Sequence, residues 1–566
     1  MISDRVTFTC NDAPVDVDAG QGVSLLTVLR EQLGWTSVKD GCAPQGQCGC
    51  CTVLVDGEPR VACVTPVARV AGRAVTTIEG VPAEHRDAIA DTFAATGGSQ
   101  CGFCTPGIAV RAAALLARGR TDRTSVDRAL AAHLCRCTGW RTIYEAVATA
   151  TESVPPVERD LGAASARATI EGGVPQRVGP DIVLGNGGFA DDTAPRDALV
   201  AVPLPPGSTA AAVDAVGLQW VIGDSLHEAR ANAGKVQGRR TTVDDVPPFA
   251  LPPLPNGGVR LATSWTEPAY LELDASWCAP GGQPATPLAN GGAFGGKTTS
   301  IAPNAARELA DRLGRVVRVV FAREDVVRSA PKRPPIAVTA VLRDNTIVID
   351  GVRAGAFPTV TLPYDVPVDR RWREQSLPGP PVGELRAPWA EEHVLVEGAL
   401  QEAGVDRASL VHDARGAAVL LDTCAADPDG ALAGARVDLG DDGLVTCVHV
   451  RVAAGDPLDA VVLRSYVVGA AHMALGWVFT ESIAVDPETG EVHDLTIRSF
   501  GIIRPRNMPE VEIDIVDDDG PPRPRASDAA FAAIAAAAWN AVTHADGVRP
   551  ESFPAGDTRA GRALRR

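Results

Sequence analysis

Near the start of the chain, hydrophobic positions recur with a period of two. Val6, Phe8 and Cys10 alternate with polar residues, Asn11-Asp12 supplies a turn, and Val15 and Val17 resume the alternation. This predicts a hairpin over residues 5–18. Leu25 to Leu33 has helical spacing, and a glycine- and cysteine-rich loop follows from Gly41 to Cys51. Thr52–Val55 and Arg60–Val64 predict a second hairpin turning at Asp56-Gly57. Two hairpins, a helix and a cysteine loop suggest a small β-grasp domain over residues 1–78.

The period then lengthens. Ala83–Ala95, Thr105–Ala117, Thr124–Leu134 and Trp140–Ala150 each have helical spacing. Pro106 suits a first helical turn, and Thr124 with Asp127 suggests a capping box. A compact four-helix unit is expected over residues 79–152, with a linker at 153–165 that begins Ser-Val-Pro-Pro. Residues 166–566 mix short strands, helices and Gly/Pro turns without a regular repeat. Ala305–Leu313 and Ala529–Val542 are predicted helices and Val316–Phe321 a predicted strand. The fold class expected is multidomain α+β.

At 566 residues and about 150 per domain, three or four domains are expected. The net charge of −17 argues against nucleic acid as the main partner. No basic stretch followed by an apolar one opens the chain, so a cytoplasmic protein without a signal peptide is expected. Val461–Phe479 is the most apolar long stretch, but it carries Arg464 and His472. A buried strand or helix is expected there rather than a membrane span. His133, His393, His449 and His472 fit no ligand spacing and are expected to be ordinary core or surface histidines.

The cysteines change the picture. Ten of 13 lie between residues 10 and 137, and only Cys278, Cys424 and Cys447 follow. In a reducing compartment such clustering points to metal or catalysis rather than disulfides. One set is Cys42-x5-Cys48-x2-Cys51 with Cys63 twelve residues on. Its glycine-containing loop can wrap amide N–H groups around an inorganic sulfide, and the turn at Asp56-Gly57 brings Cys63 back to close the site. The other set is Cys101-x2-Cys104 with Cys135-x-Cys137, each pair at a predicted helix terminus. A pair of structural zinc sites is the competing reading, but neither set shows the two Cys-x2-Cys pairs usual for zinc. Two [2Fe-2S] clusters are favoured. Cys10 is expected to be a packed strand residue, and Cys50 to point away from the cluster.

At these residues the chain resembles a known family. Gly41–Val55 (GCAPQGQCGCCTVLV), Gln100–Gly107 (QCGFCTPG) and Leu134–Trp140 (LCRCTGW) are similar to the two-cluster iron–sulfur domains of the xanthine dehydrogenase/aldehyde oxidase family of molybdenum hydroxylases. The five-residue first gap departs from the commoner four. More loosely, Gly291–Lys297 (GGAFGGK), Gly314–Glu324, Leu385–Pro388 (LRAP), Tyr466–Glu481 and Ala529–Val542 resemble segments of that family's molybdopterin subunit, in the family's order. The resemblance implies that Gln100, Phe294, Gly295 and Arg386 lie near a molybdopterin. It also implies electron flow from a molybdenum–pterin site to the cluster at Cys101, Cys104, Cys135 and Cys137, then to the cluster at Cys42, Cys48, Cys51 and Cys63, and on to an acceptor.

The departures matter as much. Where the family carries its glutamate base, Asp519-Gly520-Pro521-Pro522 places Pro521, which cannot accept a proton. Tyr466 and Met473 stand where the family has glutamines, and only about a dozen residues separate Cys278 from the GGAFGGK loop. No catalytic residue is therefore assigned. The chain is expected to be an electron-transfer subunit whose own molybdopterin-like domain is a scaffold. A partner would hold the molybdenum–pterin cofactor, and an FAD-containing subunit or other acceptor would take the electrons. A self-contained molybdenum hydroxylase and a redox sensor are the alternatives. Aldehydes, N-heterocycles and acyl-CoA thioesters all stay open as substrates.

Overall fold

The structure, a computed structural model, describes residues 5–20, 22–42, 44–151, 159–234, 238, 241–356, 358 and 361–565. Asn11 (φ 49°) and Asp12 (φ 65°) both take the left-handed conformation that a two-residue hairpin needs. They join β1 (Arg5–Cys10) to β2 (Ala13–Asp18). Asp56 and Gly57 do the same between β3 (Thr52–Val55) and β4 (Glu58–Val61). A short strand β5 (Ala74–Thr76) runs parallel to β1 and antiparallel to β3, giving a five-stranded mixed sheet in the order β2-β1-β5-β3-β4. Val6, Phe8 and Cys10 turn to its buried face, as the alternation predicts. The second hairpin strand ends earlier than expected: Ala62–Val64 forms a 3-10 turn that sets Cys63 beside Cys51.

Four helices follow: α1 (Ala83–Thr96), α2 (Thr105–Leu116), α3 (Arg123–Leu130) and α4 (Arg141–Thr149). The expected capping box at Thr124 is not what starts α3. Asp122 is the cap, its carboxylate accepting from the Ser125 amide at 3.1 Å and the Ser125 hydroxyl at 2.6 Å. The helix also stops at Leu130 rather than Leu134, which leaves residues 131–140 as the loop that carries Cys135 and Cys137.

The expected linker lies partly outside the described residues. Its last part is helical: α5 (Leu161–Gly172) begins where the Asp160 carboxylate accepts from the amides of Gly162 and Ala163, at 2.8 and 3.0 Å. A boundary at 165/166 would cut this helix. Beyond it the described residues form three more sheets, a mixed α/β fold with several mixed sheets. One uses 275–278, 317–320, 199–203, 218–223 and 213–215; the next uses 368–374, 346–353, 336–343, 258–263 and 552–553. The last has the order β6 (Thr423–Ala426), β7 (Leu432–Leu439), β8 (Val445–Ala453), β9 (Glu510–Ile515). Two long helices, α6 (Ala460–Phe479) and α7 (Ala526–Asp546), pack on each other, and α7 lies across β7. The helix α6 is long and apolar enough to cross a membrane, but 89% of its apolar window is buried inside the protein.

Candidate metal centres

Both cysteine sets converge. In the first, the Cys42 thiol is within hydrogen-bonding range of Cys48 and Cys63, and Cys63 within that of Cys51. The loop supplies amide donors: Gln45 N–H donates to Cys42 Sγ at 3.2 Å and Cys63 N–H to Cys51 Sγ at 3.4 Å. Gly46 and Gly49 take left-handed φ values of 68° and 74°, which let the loop turn tightly enough to present them. In the second set, Cys104 is the N-cap of α2, and the sulfurs of Cys101 and Cys137 lie 3.5 Å apart. Cys104 meets Cys135, which also contacts the Thr138 hydroxyl at 3.0 Å.

All eight side chains are buried, and the crowding shows in their ionisation. Hydrogen bonds from Cys48 and Cys63 hold the Cys42 thiol well below the ordinary value, while those of Cys48 and Cys63 are pushed up, Cys42 being the first cause. Cys135 is lowered to about 7 by Cys104, and Cys104 is raised in turn. Four buried thiols can ionise together only around a cationic core, which is what two ferric ions and two sulfides provide. The residues therefore fit a cluster at each set.

Cys50 differs from expectation. It sits in the turn before β3 rather than in the strand, so strand alternation does not turn it outward. It is fully buried, 3.9 Å from the Cys48 carbonyl oxygen, and has both Cys42 of the first set and Cys135 of the second as charged neighbours. The two sets are joined directly by Leu134 N–H, which donates to the Cys48 carbonyl at 2.9 Å.

The first set reaches the surface at Cys63, which lines an open cavity of about 290 Å³ with Pro44, Arg30 and, from the helix 226–232, His227 and Arg230. The second set faces a cavity of about 260 Å³ lined by Cys137, Gln100, the loop 291–295 and Arg386. The structure thus brings Gln100, Phe294, Gly295 and Arg386 together. A Cβ on Gly292 (φ 82°) would lie 2.8 Å from the Cys101 sulfur, so this loop abuts the second set.

The groups around that cavity are already engaged. The Gln100 amide nitrogen reaches the Cys137 carbonyl at 2.9 Å and the Ser465 hydroxyl at 2.9 Å. Tyr466 donates to Gln176, and Arg386 donates to Asp528 at 3.0 Å and to the Met473 sulfur at 3.6 Å. Lys297 is buried against Glu272 at 2.7 Å. Deeper in, only about 20 Å³ is left among Arg136, Arg333, Met473, Trp477 and Glu481. Arg136 and Glu481 form a buried bidentate pair, with the Nη2–Oε2 contact at 2.6 Å.

Pro521 is exposed and packs against Gly455, away from this cavity. Asp518 is held by Arg415 and Arg523 at 2.8 and 2.9 Å, which with the Gly455 amide lowers its pKa despite burial, and Asp519 is exposed. The acidic residues that do line the cavity are Glu171, Glu384 and Asp528, which no motif in the sequence marks. Burial raises the Asp528 pKa, and Arg386 opposes the rise. His133, His393 and His472 are core residues, but His449 lies between carboxylates on the outer face of β8.

Residues 77–148 match the family described as "[2Fe-2S] binding domain". The chain is 40% identical over 151 residues to the xanthine dehydrogenase iron-sulfur-binding subunit of Escherichia coli O157:H7, covering 26% of this chain and 94% of that protein. It is 43% identical over 152 residues to the aldehyde oxidoreductase of Megalodesulfovibrio gigas, covering 26% of this chain and 16% of that protein. Among solved structures, the aldehyde oxidoreductase from Desulfovibrio gigas superposes with a TM-score of 0.72 at 16% identity, over 100% of this chain and 99% of that one, a likeness of fold. With the convergent cysteines, these matches place the chain in the xanthine dehydrogenase/aldehyde oxidase family of molybdenum hydroxylases.

Proposed function

We propose that this chain is the iron–sulfur electron-transfer subunit of a heteromeric molybdenum hydroxylase. Cys42, Cys48, Cys51 and Cys63 hold one [2Fe-2S] cluster, and Cys101, Cys104, Cys135 and Cys137 hold the other. When bound, such clusters supply one-electron transfer. The chain's own residues exclude water from the thiolates, donate amides from Gln45 and Cys63, and join the two sets through the Leu134–Cys48 hydrogen bond. Residues 1–78 and 79–152 form the two cluster domains, and the chain from α5 onward a molybdopterin-like scaffold. A partner oxidises substrate and supplies the electrons, Gln100 being buried against this chain's own Ser465 and Cys137, and a flavin or other acceptor approaches on the Cys63 side.

One observation carries the scaffold reading: the cavity beside the second set is small, and Gln100, Tyr466, Arg386 and Asp528 in its lining are bonded within the chain. Its 260 Å³ falls below the ~300–1,000 Å³ of pockets that enclose drug-sized ligands. The Tyr466–Gln176 and Arg386–Asp528 contacts take up side chains that would otherwise face a metal-bearing pterin. At the family's base position Pro521 and Asp519 are exposed and Asp518 is ion-paired, while Glu171 and Asp528, which line the cavity, are held by Arg167 and Arg386.

The test is metal analysis of the purified chain and of its native complex. The isolated chain is expected to carry about four iron atoms, two per cluster, and no molybdenum. The complex is expected to carry molybdenum in another subunit. Stoichiometric molybdenum in the isolated chain would overturn the scaffold reading and favour a self-contained hydroxylase.

A further inference from the structure

Strand register assembles a second, unrelated donor set far along the chain. In β8 the side chains of Val448 and Val450 turn inward and are buried, so Cys447 and His449 turn outward. Pairing with β9 sets His449 opposite Glu512, and pairing with β7 sets Asp438 opposite Cys447. Glu512 is outward too, since Val511 is buried. The Cys447 sulfur, a His449 ring nitrogen and a Glu512 oxygen all lie within 4.8 Å of one another. Side-chain exposures of 22% for His449 and 70% for Glu512 leave the group open to solvent.

The imidazole is already oriented. His449 Nε2 is 2.7 Å from Asp438 Oδ2, and Asp438 is itself steadied by Arg436 at 3.2 Å. With Nε2–H donated to Asp438, the lone pair of Nδ1 points toward Glu512, 3.0 Å away. Two acceptors facing each other are unfavourable unless a proton or a cation sits between them. A carboxylate behind one imidazole nitrogen, with the other nitrogen aimed at a thiol and a carboxylate, is the arrangement that fixes the tautomer of a metal-bound histidine.

We infer that Cys447, His449 and Glu512 form a binding site for a divalent metal ion of the zinc class, with Asp438 as the positioning residue. One sulfur, one nitrogen and one oxygen suit Zn²⁺ better than Mg²⁺ or Ca²⁺, which prefer oxygen alone. The open side leaves room for water as a fourth ligand. The thiolate and one carboxylate balance the ion's charge. Bound there, the ion ties β9, an edge strand, to β8 across 63 positions of sequence.

The experiment uses the full chain with its iron in place. It is equilibrated with Zn²⁺, freed of loose metal, and analysed for zinc and iron. The expected result is one zinc per chain, iron unchanged, and a zinc K-edge spectrum with one sulfur at ~2.3 Å and nitrogen or oxygen ligands at ~2.0–2.1 Å. Cys447→Ser with His449→Gln, and separately Glu512→Gln at an exposed position, are expected to lose the zinc while keeping the iron. Asp438→Asn is expected to weaken zinc affinity ~10–100-fold with the same ligand shell. The inference is overturned if the wild type retains no more zinc than the double variant. A shell of sulfur alone, which would place zinc in the cluster cysteines, or one without sulfur, overturns it equally.

Discussion

A Cβ on Gly107 would lie 2.6 Å from the Gly49 carbonyl oxygen and 2.7 Å from that of Cys50, because the first turn of α2 docks directly on the first cysteine loop. The obstructing atoms are backbone and cannot swing aside. Gly107→Ala is therefore expected to cost ~1–3 kcal/mol by overpacking. Because it pries the two sets apart, it should also lower retained iron, read as melting temperature and as iron per chain. His393 gives a prediction in pH. Neither ring nitrogen has a hydrogen bond among the described residues, and burial lowers its pKa to about 3 from an ordinary 6.5. Between those values the unfolded chain binds a proton that the native chain does not. Stability from this residue is thus present above pH ~6.5 and falls as pH drops toward 3. His393→Leu should flatten the decline in melting temperature between pH 7.5 and 4.5, and an unchanged decline would refute the assignment. The eight clustered cysteines were legible at this scale because their spacing is local. Glu171, Asp528 and Gly107 were not, because what gives them meaning lies far off in sequence.

Among the elements, α7 shows how far a helix boundary can depend on distant residues. Hydrophobic spacing predicts Ala529–Val542, yet the helix starts at Ala526, and Arg525, with φ 54°, offers no side-chain cap. The cap comes from α5: the Glu171 carboxylate accepts from Ala526 N at 3.2 Å, Ser527 N at 3.1 Å and Ser527 Oγ at 2.6 Å. It is also paired with the fully buried Arg167. Glu171→Ala would leave three donors and a buried guanidinium without their acceptor, at an expected cost of ~3–5 kcal/mol in chemical denaturation. Glu171→Gln keeps an acceptor for the helix end but not the charge, so an intermediate loss is expected. Hairpins were read well from sequence because their turns are local, whereas this cap joins segments 355 residues apart. The same holds for Cys447, His449 and Glu512: histidine spacing along the chain marks no site, and only the pairing of β8 with β9 creates one.

Across the whole molecule, the cysteine loops are bonded into the large part rather than appended to it. Gln45 reaches Glu324 at 3.0 Å and the Leu495 carbonyl at 2.9 Å, and Ile497 N–H donates back to Gln45 at 3.3 Å. Arg323 donates to the Gly41 carbonyl at 2.9 Å, and Arg498 to the Gln47 carbonyl at 2.9 Å. Around the second set, Arg136 pairs with Glu481 and Trp140 Nε1 donates to the Ile503 carbonyl at 3.2 Å. Sequence showed the order of the parts but not this seam, since its partners are hundreds of positions apart. If iron holds the loops in shape, its removal should be felt across the seam. Hydrogen exchange after iron chelation is expected to quicken in residues 44–51 and 131–140 and also in 495–503. The strands 336–343 and 346–353, which pair with each other, should keep their protection. Quickening confined to the cysteine loops would mean that the large part holds its shape without them, and that the seam transmits nothing.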